Sequence, residues 1–256
     1  MSSILKSKKS LLETLVGSPG FSTEATLSNE ELARLRALIH AQFFARLAAL
    51  RPDLAETLGS IPMDQYHTVD HQIDHKSAWP KTERILPTAA VAEIRGFAVM
   101  RQLEDYFGPY LITNEELLRP EEVYWRIVRP NEPSDVGPVH ADKWFWDLGH
   151  GTMPDGYVRI KIWIPVYTET GKSGLLLFPD SHNREDIRYE GVYRDGFTKP
   201  SLVSDLSGEK RVLFSGSNGE LVIFNDRLLH GGALNTGSTT RVSAEMTVLV
   251  REDALK

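Results

Sequence analysis

The sequence predicts a mainly β chain with flanking helices: a two-sheet barrel buttressed on one side by a helical N-terminal half. Three observations carry this reading. Apolar residues in the first 118 positions recur at helical spacing, whereas from Val123 onward they fall in short β-branched and aromatic runs separated by turn formers. No regular helices link those runs, which disfavours a parallel α/β sheet. Closing them into two facing sheets buries one face of each and removes exposed edges. One domain spanning 1–256 is expected, with 1–118 as the mainly helical buttress and 121–251 as the β core, since the helices have no apolar partner without the strands.

The elements follow in chain order. Leu5, Leu11, Leu12 and Leu15 form a short amphipathic run, expected to dock on the protein's own body. Ser28 followed by Glu31 is a capping-box signature. Leu32, Leu35, Leu38, Ile39, Phe43, Leu47 and Leu50 then mark one helical face, stopped at Arg51-Pro52. Residues 57–87 hold three prolines without a clean period and read as loops and short turns. A second helix is expected from Thr88 to Phe107, carrying Val91, Ile94, Phe97, Val99 and Leu103 and ended by Gly108-Pro109. The strand runs are YWRIVRP, YVRIKIWIPV, GLLLFPD, KRVLFSG, GELVIFND and RVSAEMTVLVR.

Composition narrows the chemistry. Lys and Arg number 29 against 35 Asp and Glu, a formal net charge of -6, which argues against sequence-blind nucleic-acid binding. With no cysteine there is no disulfide, thiolate nucleophile or thiolate metal site. Any metal must sit on imidazole, carboxylate or water. No run is long and apolar enough to span a bilayer, and Met1 to Gly17 lacks the apolar core and cleavage pattern of a secretion signal, so a cytoplasmic protein is expected.

Within the strand-rich half, His140 and Asp142 are two apart, so in an extended segment both point the same way. A later strand can bring His230 alongside; two imidazoles and a carboxylate on one face of an iron leave three positions open. Read alone, His-x-Asp equally describes a hydrogen-bonded pair. Gly231 and Gly232 after His230 permit close backbone approach. Arg241, Ser243 and Glu245 share one face of the last strand while Val242 and Ala244 take the other, and an arginine fork beside a hydroxyl suits a carboxylate. The same pattern also describes a sheet exposed on one side.

PVHAD, IWIPVYTETGKSGLLLFPDSH and LLHGGALNTGSTTR, spread over about residues 121–251, resemble the iron(II)- and 2-oxoglutarate-dependent dioxygenases of the phytanoyl-CoA hydroxylase type. The resemblance implies a double-stranded β-helix, a jelly roll of cupin-like form. It implies Fe(II) bound by His140, Asp142 and His230, with 2-oxoglutarate and O2 as co-substrates. Arg241, eleven residues past the last ligand, matches the arginine that anchors the distal carboxylate of 2-oxoglutarate, and Ser243 completes an Arg-x-Ser pair. The implied reaction is hydroxylation of an unactivated C–H bond with release of succinate and CO2. Thr168 to Gly174 replaces the tighter acidic turn of many relatives, and the aspartate at 142 argues against halogenation.

The expected substrate wall is the loop Lys143 to Gly156, with Lys143, Trp144, Phe145, Trp146 and His150, together with Arg159 on the next strand; Arg126, Lys161 and Arg227 are further candidates. Trp144 and Trp146 equally suit packing of the loop on the barrel. A small polar or acidic molecule or a sugar is the expected partner, with no nucleic acid, and membrane contact only through a lipid-linked substrate; oligomeric state stays open. Relatives that modify acidic sugars of lipopolysaccharide make Kdo a specific alternative. A non-oxidative metal-dependent isomerase or lyase and a non-catalytic binding barrel are the other readings. His67, His71 and His75, four apart with Asp70 and Asp74 between, would stack on a helix as a second metal site, or else form a polar loop. His182, after Pro179-Asp180-Ser181, is expected to be structural, and Ser215 to Gly219 lacks the ending of a phosphate loop.

Overall fold

The computed structural model describes residues 7–113, 120–151, 153–194 and 196–255. Leu5, at the start of the amphipathic run, and residues 114–118, at the end of the helical half, lie outside the described residues. Helix α1 (Lys8–Val16) is capped by Ser7 and buries Leu11 and Leu15. It docks on the barrel, where Asn225 Nδ2 donates to the Leu15 carbonyl at 3.3 Å. Strand β1 (Phe21–Thr26) follows, then α2 (Asn29–Leu50), whose capping box forms as expected: Glu31 N–H donates to Ser28 Oγ at 3.2 Å and Ser28 N–H to Glu31 Oε2 at 2.8 Å. Leu35, Ile39, Phe43 and Leu47 form its buried stripe. Residues 51–87 hold α3 (Ala55–Gly59), α4 (His75–Ala78) and three short 3₁₀ turns.

The expected helix from Thr88 to Phe107 is two helices, α5 (Thr88–Arg95) and α6 (Ala98–Phe107). Gly96 caps the first. Phe97 is extended, which buries its ring, and the freed amide of Ala98 donates to Glu31 of α2. The second carboxylate oxygen of one capping box thus serves another helix's start, a tertiary contact that apolar periodicity does not report.

The strands are β2 (Leu111–Thr113), β3 (Tyr124–Val128), β4 (Tyr157–Tyr167), β5 (Leu175–Leu177), β6 (Tyr189–Arg194), β7 (Phe197–Leu202), β8 (Val212–Phe214), β9 (Glu220–Asn225), β10 (His230–Gly232) and β11 (Arg241–Arg251). The major sheet runs β1-β9-β4-β11-β2, with β3 also pairing β11. The minor sheet is β10-β5-β8. The first half is therefore not purely helical: β1 and β2 both join the major sheet, β1 pairing Phe21 with Phe224 and β2 pairing Ile112 with Val248. All pairings are antiparallel, and the architecture is the jelly roll flanked by helices.

The long strands β4 and β11 turn Ile160, Ile162, Ile164, Val166, Val242, Ala244, Met246 and Val248 toward the helices, all in one core cluster with the α2 stripe. Their opposite face looks toward the minor sheet, and the site lies there. Trp125 of β3 locks the layers together: it is fully buried, its ring lies 5.3 Å from Trp79 and 6.4 Å from Phe43, and Nε1 donates to Gln42 Oε1 at 2.8 Å. Trp125→Ala is expected to cost about 3–5 kcal/mol, the range for emptying a large aromatic site, read as a shifted denaturant midpoint with an unchanged slope.

Candidate active site

His140 and His230 are brought side by side by backbone. Each donates its N–H to the other's carbonyl at 2.9 Å, an antiparallel bridge that extends the minor sheet beyond β10. Gly231 makes the approach possible, because a Cβ there would lie 3.2 Å from the Val139 Cα. The two rings are 4.6 Å apart between centroids. Both are restrained in the same way: Nδ1 lies 2.9 Å from the carbonyl two residues back, Pro138 for His140 and Leu228 for His230. With Nδ1–H donating to a carbonyl, Nε2 carries the lone pair and faces the partner ligands.

Asp142 closes the set. Its Oδ1 is 3.5 Å from His140 Nε2, and its Oδ2 is 3.5 Å from His230 Nε2. Ligand atoms of the three residues all lie within 4.8 Å of one another, and among the described residues this is the one such group of histidine and carboxylate side chains. Asp142 is buried, and Oδ2 makes no hydrogen bond. Burial opposes its charge, but Lys161, with Nζ 3.4 Å from Oδ2, and the two imidazoles hold the carboxyl well below its usual range. Burial lowers His230 to about 4, leaving the neutral imidazole a metal requires. Burial opposes charge on His140 as well, but the Asp142 carboxylate outweighs it and raises that imidazole. Two imidazole nitrogens and one carboxylate, with ligand atoms within 4.8 Å of one another, fit a divalent iron.

The triad opens on a cavity of about 440 Å³ between the two sheets. Trp163, Leu175 and Phe224 make its apolar walls. Arg241 lines it too. It is 3% exposed, donates through Nη1 to the Gly174 carbonyl at 2.5 Å, and leaves Nε buried without a partner. Burial lowers its pKa to about 10, so it stays charged at neutral pH. Ser243 is buried one step further along the strand, but it is Glu245 that lines the cavity, paired with Arg126 at 2.9 Å.

Of the residues expected on the substrate wall, Phe145 lines this cavity, whereas Lys143, Trp144, Trp146, His150 and Arg159 do not. After Asp142 the chain turns straight into a short helix, α7 (Lys143–Asp147), in place of an open loop. Its turn carries Phe145 inward, 5.6 Å from the His140 ring, and sends its neighbours elsewhere. Lys143 pairs with Asp147, and Trp144 stacks on Tyr189 at 4.5 Å. Trp146 lies under the Arg159 guanidinium at 3.7 Å, and His150 bonds the Thr198 carbonyl. Arg227 is also elsewhere, with Lys143 and Trp144 around a small outer pocket. Lys161 and Arg126 do reach the cavity. So does a hairpin absent from the sequence reading, β6-β7, through Arg194, Phe197, Lys199 and Pro200. Its one local signal is Asp195-Gly196, a turn pair between alternating runs.

The three spaced histidines do not stack. His67 and His71 fall in separate 3₁₀ turns and His75 starts α4. His67 Nδ1 meets Thr240 Oγ1 at 3.0 Å, while His75 lies between Tyr66 and Asp135. His182 is buried against α1, with Nε2 3.3 Å from the Val16 carbonyl.

The sequence profile of the phytanoyl-CoA dioxygenase family matches residues 22–243. The chain belongs to that family. The match reaches from β1 to Ser243 and so includes both the helical half and the triad. No curated protein matches the sequence. Among solved structures, the apo form of the non-heme monooxygenase ThoJ superposes with a TM-score of 0.56 at 14% identity, covering 96% of this chain and 80% of that one. The non-heme alpha ketoglutarate dependent carbocyclase SnoK from nogalamycin biosynthesis gives 0.53 at 14% identity, over 96% and 87%. The apoform of EctD from S. alaskensis gives 0.52 at 18%, over 96% and 76%. At such identities the likeness shows the fold. As a member of the phytanoyl-CoA dioxygenase family, the chain has an oxygenase fold, and its His-Asp-His set suits the iron of that class. Among the described residues, no helix is long and apolar enough to cross a membrane.

Proposed function

We propose that this protein is an iron(II)- and 2-oxoglutarate-dependent oxygenase that hydroxylates a C–H bond of a small polar molecule, releasing succinate and CO2. The observation that carries this is the convergence of His140, Asp142, His230 and a buried, incompletely partnered Arg241 on one cavity. His140, Asp142 and His230 would hold the iron, which with 2-oxoglutarate and O2 supplies the oxidising chemistry. Arg241 offers Nε and its outer edge to the far carboxylate of the keto acid; Trp163, 5.7 Å from that guanidinium, walls the same space. Leu175 and Phe224 exclude water from the centre, which strengthens each polar contact there. Selectivity then rests on which C–H bond the remaining walls set close to the metal.

A non-oxidative isomerase or lyase would use the same metal ligands but leave the buried guanidinium with no anion to hold. The two readings separate in one assay. Protein supplied with iron(II), ascorbate, air and 2-oxoglutarate is expected to form succinate, at a rate raised by the right substrate. Iron binding without 2-oxoglutarate binding or succinate would favour the non-oxidative reading.

A further inference from the structure

The cavity carries more positive charge than its metal chemistry requires. Among the described residues its walls hold six cationic side chains, Lys81, Arg126, Lys161, Arg194, Lys199 and Arg241, against three carboxylates, those of Asp135, Asp142 and Glu245. A divalent metal and a dianionic keto acid offset one another, so binding both leaves that positive surplus among the described wall residues unchanged. The chain as a whole has a net charge of -6, so this surplus is local. Charge of one sign in a cleft with low-dielectric walls focuses its field on whatever enters.

Two of the six cations sit on hairpin β6-β7, which among the described residues forms a two-stranded sheet of its own beside the two larger ones. It is tied along its length to the helix that follows Asp142 and to the segment just after it: Tyr189 stacks on Trp144, His150 bonds the Thr198 carbonyl, and a Cβ on Gly191 would lie 3.0 Å from Leu148 Cδ2. Near its turn the hairpin presents Arg194, Phe197 and Lys199 to the cavity, with Lys199 Nζ 4.7 Å over the Phe197 ring. Phe197 is 46% exposed. An exposed ring beside two cations on the cavity wall suits a ligand with one apolar face and one anionic end.

We propose that the hairpin is an anion-binding arm, and that the substrate is a small molecule bearing a carboxylate or phosphate held by Arg194 and Lys199 while its reacting carbon lies at the triad. This rests on the oxygenase reading for the reaction but not for the binding. The test uses the full chain loaded with nickel(II) and 2-oxoglutarate, which binds without turning over. Matched pairs are titrated by calorimetry: glucuronate against glucuronamide, phenylacetate against phenylacetamide, glucose 6-phosphate against glucose. At least one anion is expected to bind about tenfold or more tighter than its neutral twin, as for a charge-assisted contact. The carboxylate and phosphate arms show which anion is preferred. In R194Q/K199Q that preference should fall to within about twofold, while R194K/K199R retains it and both variants bind nickel and 2-oxoglutarate as the parent does. Equal binding of anions and neutral twins, no binding by any anion, or an undiminished preference in R194Q/K199Q would overturn the proposal. Failure to bind 2-oxoglutarate, with the anion preference intact, would instead sink the oxygenase reading and leave the arm standing.

Discussion

Asp142→Ala is expected to strip the protein of its metal and with it all succinate formation. The carboxylate is the one anionic member of the triad, and its Oδ2 is buried without a hydrogen-bond partner. Alanine leaves two neutral imidazoles and the nearby Lys161 ammonium around the site, an environment that repels a dication. Iron affinity, measured anaerobically with 2-oxoglutarate absent, should fall by about a hundredfold or more, at least the upper range for outer-shell changes. Because Lys161 also loses its carboxylate neighbour, the variant needs a stability control, and Asp142→Asn supplies it. The amide keeps the shape and fills the space while withholding the charge. An Asp142→Asn variant that folds like the parent but does not bind iron would locate the loss in metal ligation; parent-like iron binding and turnover in Asp142→Ala would remove the triad from the mechanism.

Arg241→Ala is expected to spare the metal and cost the co-substrate. The guanidinium is anchored by the Gly174 carbonyl through Nη1, so its remaining donors are aimed before any ligand arrives. Losing a preorganised, buried, charge-assisted fork should raise the 2-oxoglutarate concentration for half-saturation by roughly a hundredfold. Iron content should change little, because the triad is held by the His140–His230 backbone bridge and by Asp142, whereas Arg241 is anchored to Gly174. Arg241→Lys should recover only part of the affinity, since an ammonium cannot span two carboxylate oxygens with a planar fork. An unchanged 2-oxoglutarate requirement in Arg241→Ala would mean the distal carboxylate is held elsewhere.

Both predictions concern residues whose chemistry is legible without any fold, and the substrate wall makes the contrast. His140 and Asp142 are readable as a same-side pair and Arg241 as the start of a strand with a polar face. The wall is not readable, because it depends on what the chain does just after Asp142. Aromatics crowded there invite a loop over the site; instead a single helical turn admits Phe145 and diverts Lys143, Trp144 and Trp146. Arg159 and Lys161 share a strand face, yet two residues along a strand is about 7 Å. That is enough to carry Arg159 out of the cavity to Trp146 while Lys161 stays beside Asp142. The break at Gly96-Phe97 is hidden for a similar reason: Glu31, far away in sequence, supplies the cap that makes two helices more favourable than one.

By itself the sequence determined the β core with its helical flank and the absence of any thiolate chemistry, properties of residue type and of period along one element that local sterics and apolar spacing set directly. The candidate ligands His140, Asp142 and His230 and the candidate anchor Arg241 came instead from motifs that resemble those of a known family. Only the tertiary structure decided which side chains face the metal from other elements, and it placed Phe145, Lys161 and the β6-β7 hairpin there. That choice depends on strand register, on where short helices begin and on packing between segments distant in sequence, and no local pattern encodes those distances.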